Sequence, residues 1–524
     1  MYVISPAVAS ILDVRRWPDV RETFSWDALW PLFDGERARL NLAHECVDRH
    51  AGAGVALRLA AADGRFVEHS FAELAQWSSR FANLLEAEGV AAGERVAIML
   101  EPSLAFYGAL FGAVKRGAVA VPLFTLFGPD AVALRVDDCR PRVLLVERDA
   151  ERWQSRVPGV RVVALDARFA ARLAEQRTVY TPRTAADDPA VFQYTSGTTR
   201  ALPEAVRHTQ RAVVTLMVAA LYGVGLERGD RYFCPSSPAW GHGLWHGTIA
   251  PLALGIPVGA LAGRFDPARF AAALETFAIT NVAAAPTVYR MARAAGWTPA
   301  KGRIAKCSFT GEPMDGATRE FLTRALGAAP CSMYGSTEVG VVLVDYPGFD
   351  GYVVRPGALG SAAPGWEVAV VDDAGAPVAH GVVGEIAVRR RGAWLPVRDR
   401  GWMDADGYVH HAGRSDDVII SAGWTMSAVE IEQVLLRHPD IRDAAVIAVT
   451  DATRGQIPKA FVVAERAGPA FEREVQEWVK TRLSLHEYPR AVQVVDALPR
   501  TPAGKVDRRA LRAREVSHPP GGHE

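Results

Sequence analysis

From Phe71 to Ala295 the chain alternates short apolar runs with longer amphipathic stretches, and this alternation restricts the fold more than any other feature. Phe71 to Glu88 carries apolar residues at helical spacing, with Ser70 placed to cap it. Val96–Leu100 follows the turn Gly93-Glu94 and reads as a buried strand. A helix is expected through Leu104–Val114, then strands over Ala118–Leu123, Val143–Val146 and Val162–Leu165. The pattern resumes with strands at Gly223–Pro235 and Pro257–Leu261, a helix over Pro267–Phe277, and the strand Asn281–Ala285. Pro286 is expected to end that strand before the helix Thr287–Ala295. Repeated strand–helix order requires parallel sheets covered by helices. Ligands of such sheets bind outside the carboxyl ends of the strands.

The texture changes after Asp345. Trp366–Val371 and Gly384–Arg389 are short alternating runs separated by Gly, Pro and Asp, the pattern of a small antiparallel or barrel-like sheet. Beyond Gly413-Arg414-Ser415 come strands at Asp417–Ser421, Asp443–Val449, Lys459–Ala464 and Ala491–Val495, helices at Ala428–Leu436 and Glu472–Leu483, and a polar tail ending in Ser517–Glu524. That is a self-contained α+β unit of about 100 residues. The expected class is α/β, with a large N-terminal domain over residues 1–415 and a smaller C-terminal domain over 416–524.

Composition excludes several functions. A chain of 524 residues is too long for one ordinary core, and 49% hydrophobic with 23% charged residues describes a globular protein. Lys+Arg and Asp+Glu both number 59, so no bulk field attracts nucleic acid or an anionic membrane. The five cysteines form no C-x-x-C pair, which argues for a reducing, cytoplasmic setting and against a zinc cluster or disulfide frame. Asp13, Arg15 and Arg16 interrupt the start, so no signal peptide is expected. Ala212–Ala220 and Ile249–Val258 are too short or too broken for membrane insertion.

The chemistry is concentrated at Tyr194-Thr-Ser-Gly-Thr-Thr-Arg200, followed by Leu202-Pro203 and Val206-Arg207-His208. Hydroxyls, free N–H groups and nearby basic residues suit an anionic phosphate. The run is not a Walker A loop, because GxxxxGK[ST] does not occur. Tyr334-Gly-Ser-Thr-Glu338, Gly413-Arg-Ser-Asp-Asp417 and Pro499-Arg-Thr-Pro-Ala-Gly-Lys505 follow in that order. Together these motifs resemble the adenylate-forming superfamily, and within it the short- and medium-chain or aryl acyl-CoA synthetases. The resemblance runs from roughly Leu42 to Arg512.

The resemblance implies a role for each matched residue. Thr195, Ser196, Gly197, Thr198 and Thr199 would hold the β- and γ-phosphates of ATP. Thr337 would hydrogen-bond the α-phosphate, and Glu338 would be the carboxylate beside Mg²⁺. Gly311, Glu312 and Pro313 would pack against adenine, Tyr334 would belong to the same nucleotide site, Asp399 would bind the ribose hydroxyls, and Arg414 would face the nucleotide. Lys505 would act on the forming acyl phosphate. Asp416 matches the hinge of a mobile C-terminal domain, and Gly423 in Ser421-Ala-Gly-Trp424 would line the tunnel for the coenzyme A thiol arm. Four features depart from the family pattern: Arg200 in place of glycine, Glu204 in place of lysine, a longer link from Thr199 to Pro203, and Thr425 in place of arginine.

Ser236–Trp245 would supply the acyl pocket, with Trp240 and Trp245 as walls and Gly241 and Gly243 leaving space. Acetate-selective relatives place tryptophan where this chain has Gly335, so the resemblance implies a longer acid, straight-chain or aromatic. His242 and His246 stand as contacts for a polar substituent or as structural polar groups. The expected activity is an ATP-dependent, AMP-forming acyl-CoA synthetase that uses a carboxylic acid, ATP, Mg²⁺ and coenzyme A. Two alternatives stay open: an activator that loads a carrier-protein thiol, and a nucleotide-binding homologue with weak or no ligase activity. Arg454 and Lys459 are the candidate coenzyme A contacts, and homodimerisation is left open.

Overall fold

The computed structural model describes residues 11–194, 204–311, 314, 316–336, 339–414, 418–421, 424–451, 453–499, 506 and 508–517. The chain divides into two compact units. One comprises Met1–Thr125, Cys139–Gln193 and Ala205–Ser415; the other comprises Leu126–Asp138, Tyr194–Glu204 and Asp416–Glu524.

Two sheets organise the first unit. One has six strands in the order Arg161–Ala164, Val143–Val146, Arg95–Met99, Val119–Pro122, Pro189–Tyr194 and Ala205–Thr209. Its first five strands run parallel. Val119–Pro122 and Val143–Val146 are buried at every position, which is why they read as unbroken apolar runs. The helix Phe71–Ala87 starts at a capping box in which the Ser70 and Glu73 side chains each bond the other's backbone N–H. It packs on the helix Leu104–Lys115, where a Cβ at Gly112 would lie 2.7 Å from the Ser78 carbonyl oxygen.

The second sheet begins parallel and ends antiparallel. Its parallel part runs through Cys331–Ser336, Lys306–Phe309, Asn281–Ala284, Tyr232–Phe233, Val258–Leu261 and Val55–Ala60, with Phe66–Ser70 as an antiparallel edge. On the other side of Cys331–Ser336 come Gly340–Val344, Ala358–Ala362, Val409–Arg414, Ala393–Met403, Gly384–Arg390 and Val368–Val371, all antiparallel. This part is barrel-like. Cys331–Ser336 and Ala393–Met403 are four places apart in strand order, which would separate them by about 19 Å in a flat sheet. The Tyr334 hydroxyl nevertheless donates to Asp399 Oδ2 at 2.6 Å, so the sheet curls back on itself.

Three sequence expectations need correction. Only Tyr232–Phe233 of Gly223–Pro235 forms a strand, because Gly225 and Gly229 take positive φ (66° and 93°) and break the extended run. Pro286 opens the helix Pro286–Ala294 instead of closing the strand; its missing N–H costs nothing in a first turn. The polar tail contains a helix, Arg508–Ser517, which is anchored by buried Leu511 against Ala445, Ile447 and Phe461.

The second unit pairs the strands Ile441–Asp451 and Gly455–Ala464, adds Ala491–Val494 in parallel, and includes the helices Ala428–Leu435 and Pro469–Arg482. A hairpin joins Val418–Ser421 to Trp424–Ser427. Among the described residues, no helix is long and apolar enough to cross a membrane. The five cysteines are buried free thiols.

A buried charge cluster lies within this unit. Arg135 stacks on Phe127 (4.0 Å to the ring centroid) and reaches Glu430 at 3.5 Å. Glu487 lies beside them, and among the described residues neither of its carboxyl oxygens has a hydrogen-bond partner. Burial, reinforced by the Glu430 charge, pushes the Glu487 carboxyl up from 4.5 to about 8. Below pH 4.5 this group is protonated in both folded and unfolded chains. Between there and about pH 8 only the unfolded chain ionises, so Glu487 lowers stability as pH rises through that window. Glu487→Gln should therefore raise the Tm of the unit more at about pH 8.5 than at about pH 5. Thermal unfolding at both pH values checks this, and a gain that does not grow with pH would show that Glu487 is not the titrating group.

Candidate active site

Tyr334 and Asp399, 65 positions apart in sequence, meet where the barrel-like sheet curls back on itself. Tyr334 lies on the strand Cys331–Ser336 and bonds Asp399, whose Oδ1 is also 3.8 Å from His411 Nε2. Asp399 pairs directly across the sheet with Arg414, so the backbone register brings both positions to one edge. Arg398, just before Asp399, has φ of 67°, left-handed backbone that costs a residue with a Cβ roughly 1 kcal/mol or more. That cost falls beside the carboxylate it helps to aim. Gly311 follows the strand Lys306–Phe309 with φ of 92°. Thr195, Ser196, Gly197, Thr198, Thr199, Arg200, Glu312, Pro313, Thr337, Glu338, Asp416, Gly423 and Lys505 lie outside the described residues.

A second constellation surrounds Trp240. Its ring lies 6.3 Å from that of Phe124, and the chain then winds as a π-helix over His242–Ile249. Such windings are rare and favour functional sites, because the extra residue per turn re-aims side chains. Gln193 holds this helix: its Oε1 accepts from Trp245 Nε1 at 2.6 Å. His208 packs on Trp245 with ring centroids 4.5 Å apart. His242 Nδ1 lies 2.9 Å from Ser236 Oγ and 4.0 Å from Cys234 Sγ.

Sequence reasoning missed Gln193, and the signal was available, since a glutamine in an otherwise apolar buried strand requires a partner. It also misread three glycines as space. A Cβ at Gly241 would lie 2.7 Å from Gln193 Nε2, and one at Gly243 would overlap the Ser236 and Ser237 carbonyls. At Gly335 a Cβ would overlap the Gly340 carbonyl and lie 2.7 Å from Val341 Cα. The strand register shifts between Tyr334 and Gly335, so glycine there answers to the neighbouring backbone.

The remaining charged candidates are placed as follows. Glu204 is exposed, while the Arg207 guanidinium lies over the Phe192 ring at 5.1 Å. Lys459 pairs with Glu515 at 2.7 Å. His438, Asp440 and Glu474 converge closely enough to hold a cation, but Arg466 already reaches Asp440 at 2.6 Å and Glu474 at 2.7 Å.

A profile of AMP-binding enzymes matches residues 47–394, and one of the AMP-binding enzyme C-terminal domain matches residues 430–505. The chain belongs to the AMP-binding enzyme family. Within this adenylate-forming superfamily it lies in the acyl-CoA synthetase branch, whose members are AMP-forming acid–thiol ligases. It is 30% identical to the acetyl-coenzyme A synthetase of Bacillus subtilis (strain 168), covering 98% of both chains. It is also 30% identical to the 3-hydroxybenzoate–CoA ligase of Aromatoleum sp. (strain CIB), covering 84% of this chain and 91% of that one. Among solved structures, an acyl-CoA synthetase from Brucella canis superposes with a TM-score of 0.72 at 30% identity, covering 96% of this AMP-binding enzyme and 99% of the other.

The backbone contact at Gly335 gives a direct test within this AMP-binding enzyme. Gly335→Ala should destabilise it by about 1–3 kcal/mol, because the strand carrying Gly340 must move. Denaturant unfolding measures the loss, and an unchanged midpoint would mean that the position tolerates a side chain.

Proposed function

We propose that this enzyme activates a carboxylic acid larger than acetate to an acyl-adenylate and transfers the acyl group to coenzyme A. Its substrates are the acid, ATP and coenzyme A, with Mg²⁺ accompanying the nucleotide. The observation that carries this reading is the Tyr334–Asp399 bond opposite Arg414, set inside a family match that spans both units. A carboxylate offers about four acceptor sites, the chemistry that two ribose hydroxyls require.

In this reading the acid's carboxylate oxygen attacks the α-phosphorus and pyrophosphate leaves. The coenzyme A sulfur then attacks the acyl carbon and AMP leaves. Thr195, Ser196, Gly197, Thr198 and Thr199 hold the β- and γ-phosphates, and Thr337 bonds the α-phosphate. Gly311, Glu312, Pro313 and Tyr334 surround the base. Glu338 would help to hold Mg²⁺, which would supply positive charge against the phosphates. Lys505 stabilises charge on the bridging oxygen, Asp416 is the hinge, and Gly423 lets the thiol arm run close to the backbone. The preference for an acid longer than acetate rests on the resemblance alone: Gly335 stands where acetate-selective relatives carry tryptophan.

Two measurements test the assignment. Lys505→Ala should lose about 10²-fold or more in acyl-adenylate formation. Synthetic acyl-adenylate plus coenzyme A should still yield thioester at near-normal rate, and equal loss in both steps would remove Lys505 from this role. The second concerns Glu204, an exposed carboxylate where relatives carry lysine. Reversing its charge is worth on the order of 1 kcal/mol in solvated surroundings, so Glu204→Lys should lower the KM for MgATP severalfold. Titrating MgATP at matched ionic strength decides it; an unchanged or higher KM rejects the charge argument.

A further inference from the structure

We propose that the acid carries a neutral hydrogen-bonding substituent (hydroxyl, amino or carbonyl) remote from its reacting carboxylate, and that His242 and His246 read it. This rests on the acyl-CoA synthetase reading above, with Trp240 as a wall of the acyl site.

The two imidazoles are one turn apart on the π-helix, with ring centroids 6.0 Å apart. Both residues keep some accessible surface, and in this proposal they border the acyl site beside Trp240. Among the described residues, His242 Nε2 and His246 Nδ1 have no hydrogen-bond partner, and neither nitrogen is reached by solvent. A buried polar atom without a partner is destabilising, and here the described residues carry two within one turn. An alkyl chain in the acyl site would leave both unmet. A hydroxyl, amine or carbonyl would meet them.

The charge state selects among polar groups. Burial lowers the His242 imidazole to about 4, and burial with the neighbouring His242 lowers His246 to about 3. At neutral pH each ring therefore offers one N–H and one lone pair, which suits a neutral donor or acceptor and gives no counter-charge to a second anion. The Ser236 hydroxyl contacts His242 Nδ1, and because a hydroxyl both donates and accepts, it adapts the free nitrogen to either kind of substituent. The Trp245 indole N–H is satisfied by Gln193. Few polar groups converging in an apolar recess fix a ligand's orientation.

The experiment uses the full-length enzyme with MgATP and size-matched acids. Benzoate is compared with hydroxy-, amino- and acetyl-benzoates, and hexanoate with hydroxy- and oxo-hexanoates, by pyrophosphate release. At least one substituted acid should exceed its parent in kcat/KM on the order of 10-fold or more, since a site built to bond a polar group discriminates against analogues lacking it. His246→Leu and His242→Leu should drive that ratio towards one, and His246→Gln should restore part of it. Thermal unfolding confirms that each variant is folded, and the glutamine variant decides the matter if a leucine variant is not. If parents match or outrun every substituted acid, or the ratio survives both leucine variants, the proposal is overturned. If no acid releases pyrophosphate, the ligase reading fails first and takes this proposal with it.

Discussion

The strand Cys331–Ser336 is hydrogen-bonded in parallel to Lys306–Phe309 on one side and antiparallel to Gly340–Val344 on the other. A strand with unlike neighbours is where the helix-covered part of a sheet gives way to hairpins, and it leaves a crevice at its carboxyl end. Every position beyond it depends on the register it sets. Met333 opposes Val344, Leu343 opposes Ala362, Ala358 opposes His410, and Asp399 opposes Arg414. A slip of one residue in that series would turn each side chain to the other face. The Tyr334–Asp399 bond closes the series and makes the antiparallel part a curled wall. Gly335 is the local condition for this, because only a residue without Cβ fits against the Gly340 carbonyl at the register shift.

The parallel core was legible because burial on both faces leaves no room for polar residues. Val143–Val146 matches the sequence reading, and Val119–Pro122 lies one residue inside the expected limits at each end. The failures have a common cause. In Gly223–Pro235 apolar residues are frequent, but apolarity reports burial and not extension, and two glycines decide the backbone. In Arg508–Ser517 the reverse holds. A charged segment needs only Leu511 to dock, so its helix leaves almost no hydrophobic signal.

At the site, the motifs gave Tyr334 and Asp399 their likeness to the family but not their contact, which depends on strand curvature. Gly241, Gly243 and Gly335 show a limit that composition cannot overcome. A glycine marks either a void or a neighbour too close for a methyl group, and only coordinates distinguish the two. Here all three are of the second kind. Gln193 is the converse, a polar residue whose burial was predictable and whose partner, Trp245, lies 52 positions away.

Some buried ionisable groups are held in ion pairs, as Arg135 and Glu430 are, and others are neutralised by burial. His208, His242 and His246 are all pushed down by burial, and Glu487 is pushed up. Forming an unpaired charge in these surroundings would cost several kcal/mol, more than shifting a proton equilibrium by a few units. The consequence for an acid bound beside Trp240 is asymmetric. In the proposed arrangement its reacting carboxylate has cations to meet at the nucleotide end, whereas a charged group at the other end would face imidazoles that burial keeps neutral. A recess of this kind tolerates polarity and penalises charge. It therefore separates acids by the dipole they carry far from the carboxylate, a property that chain length alone does not capture.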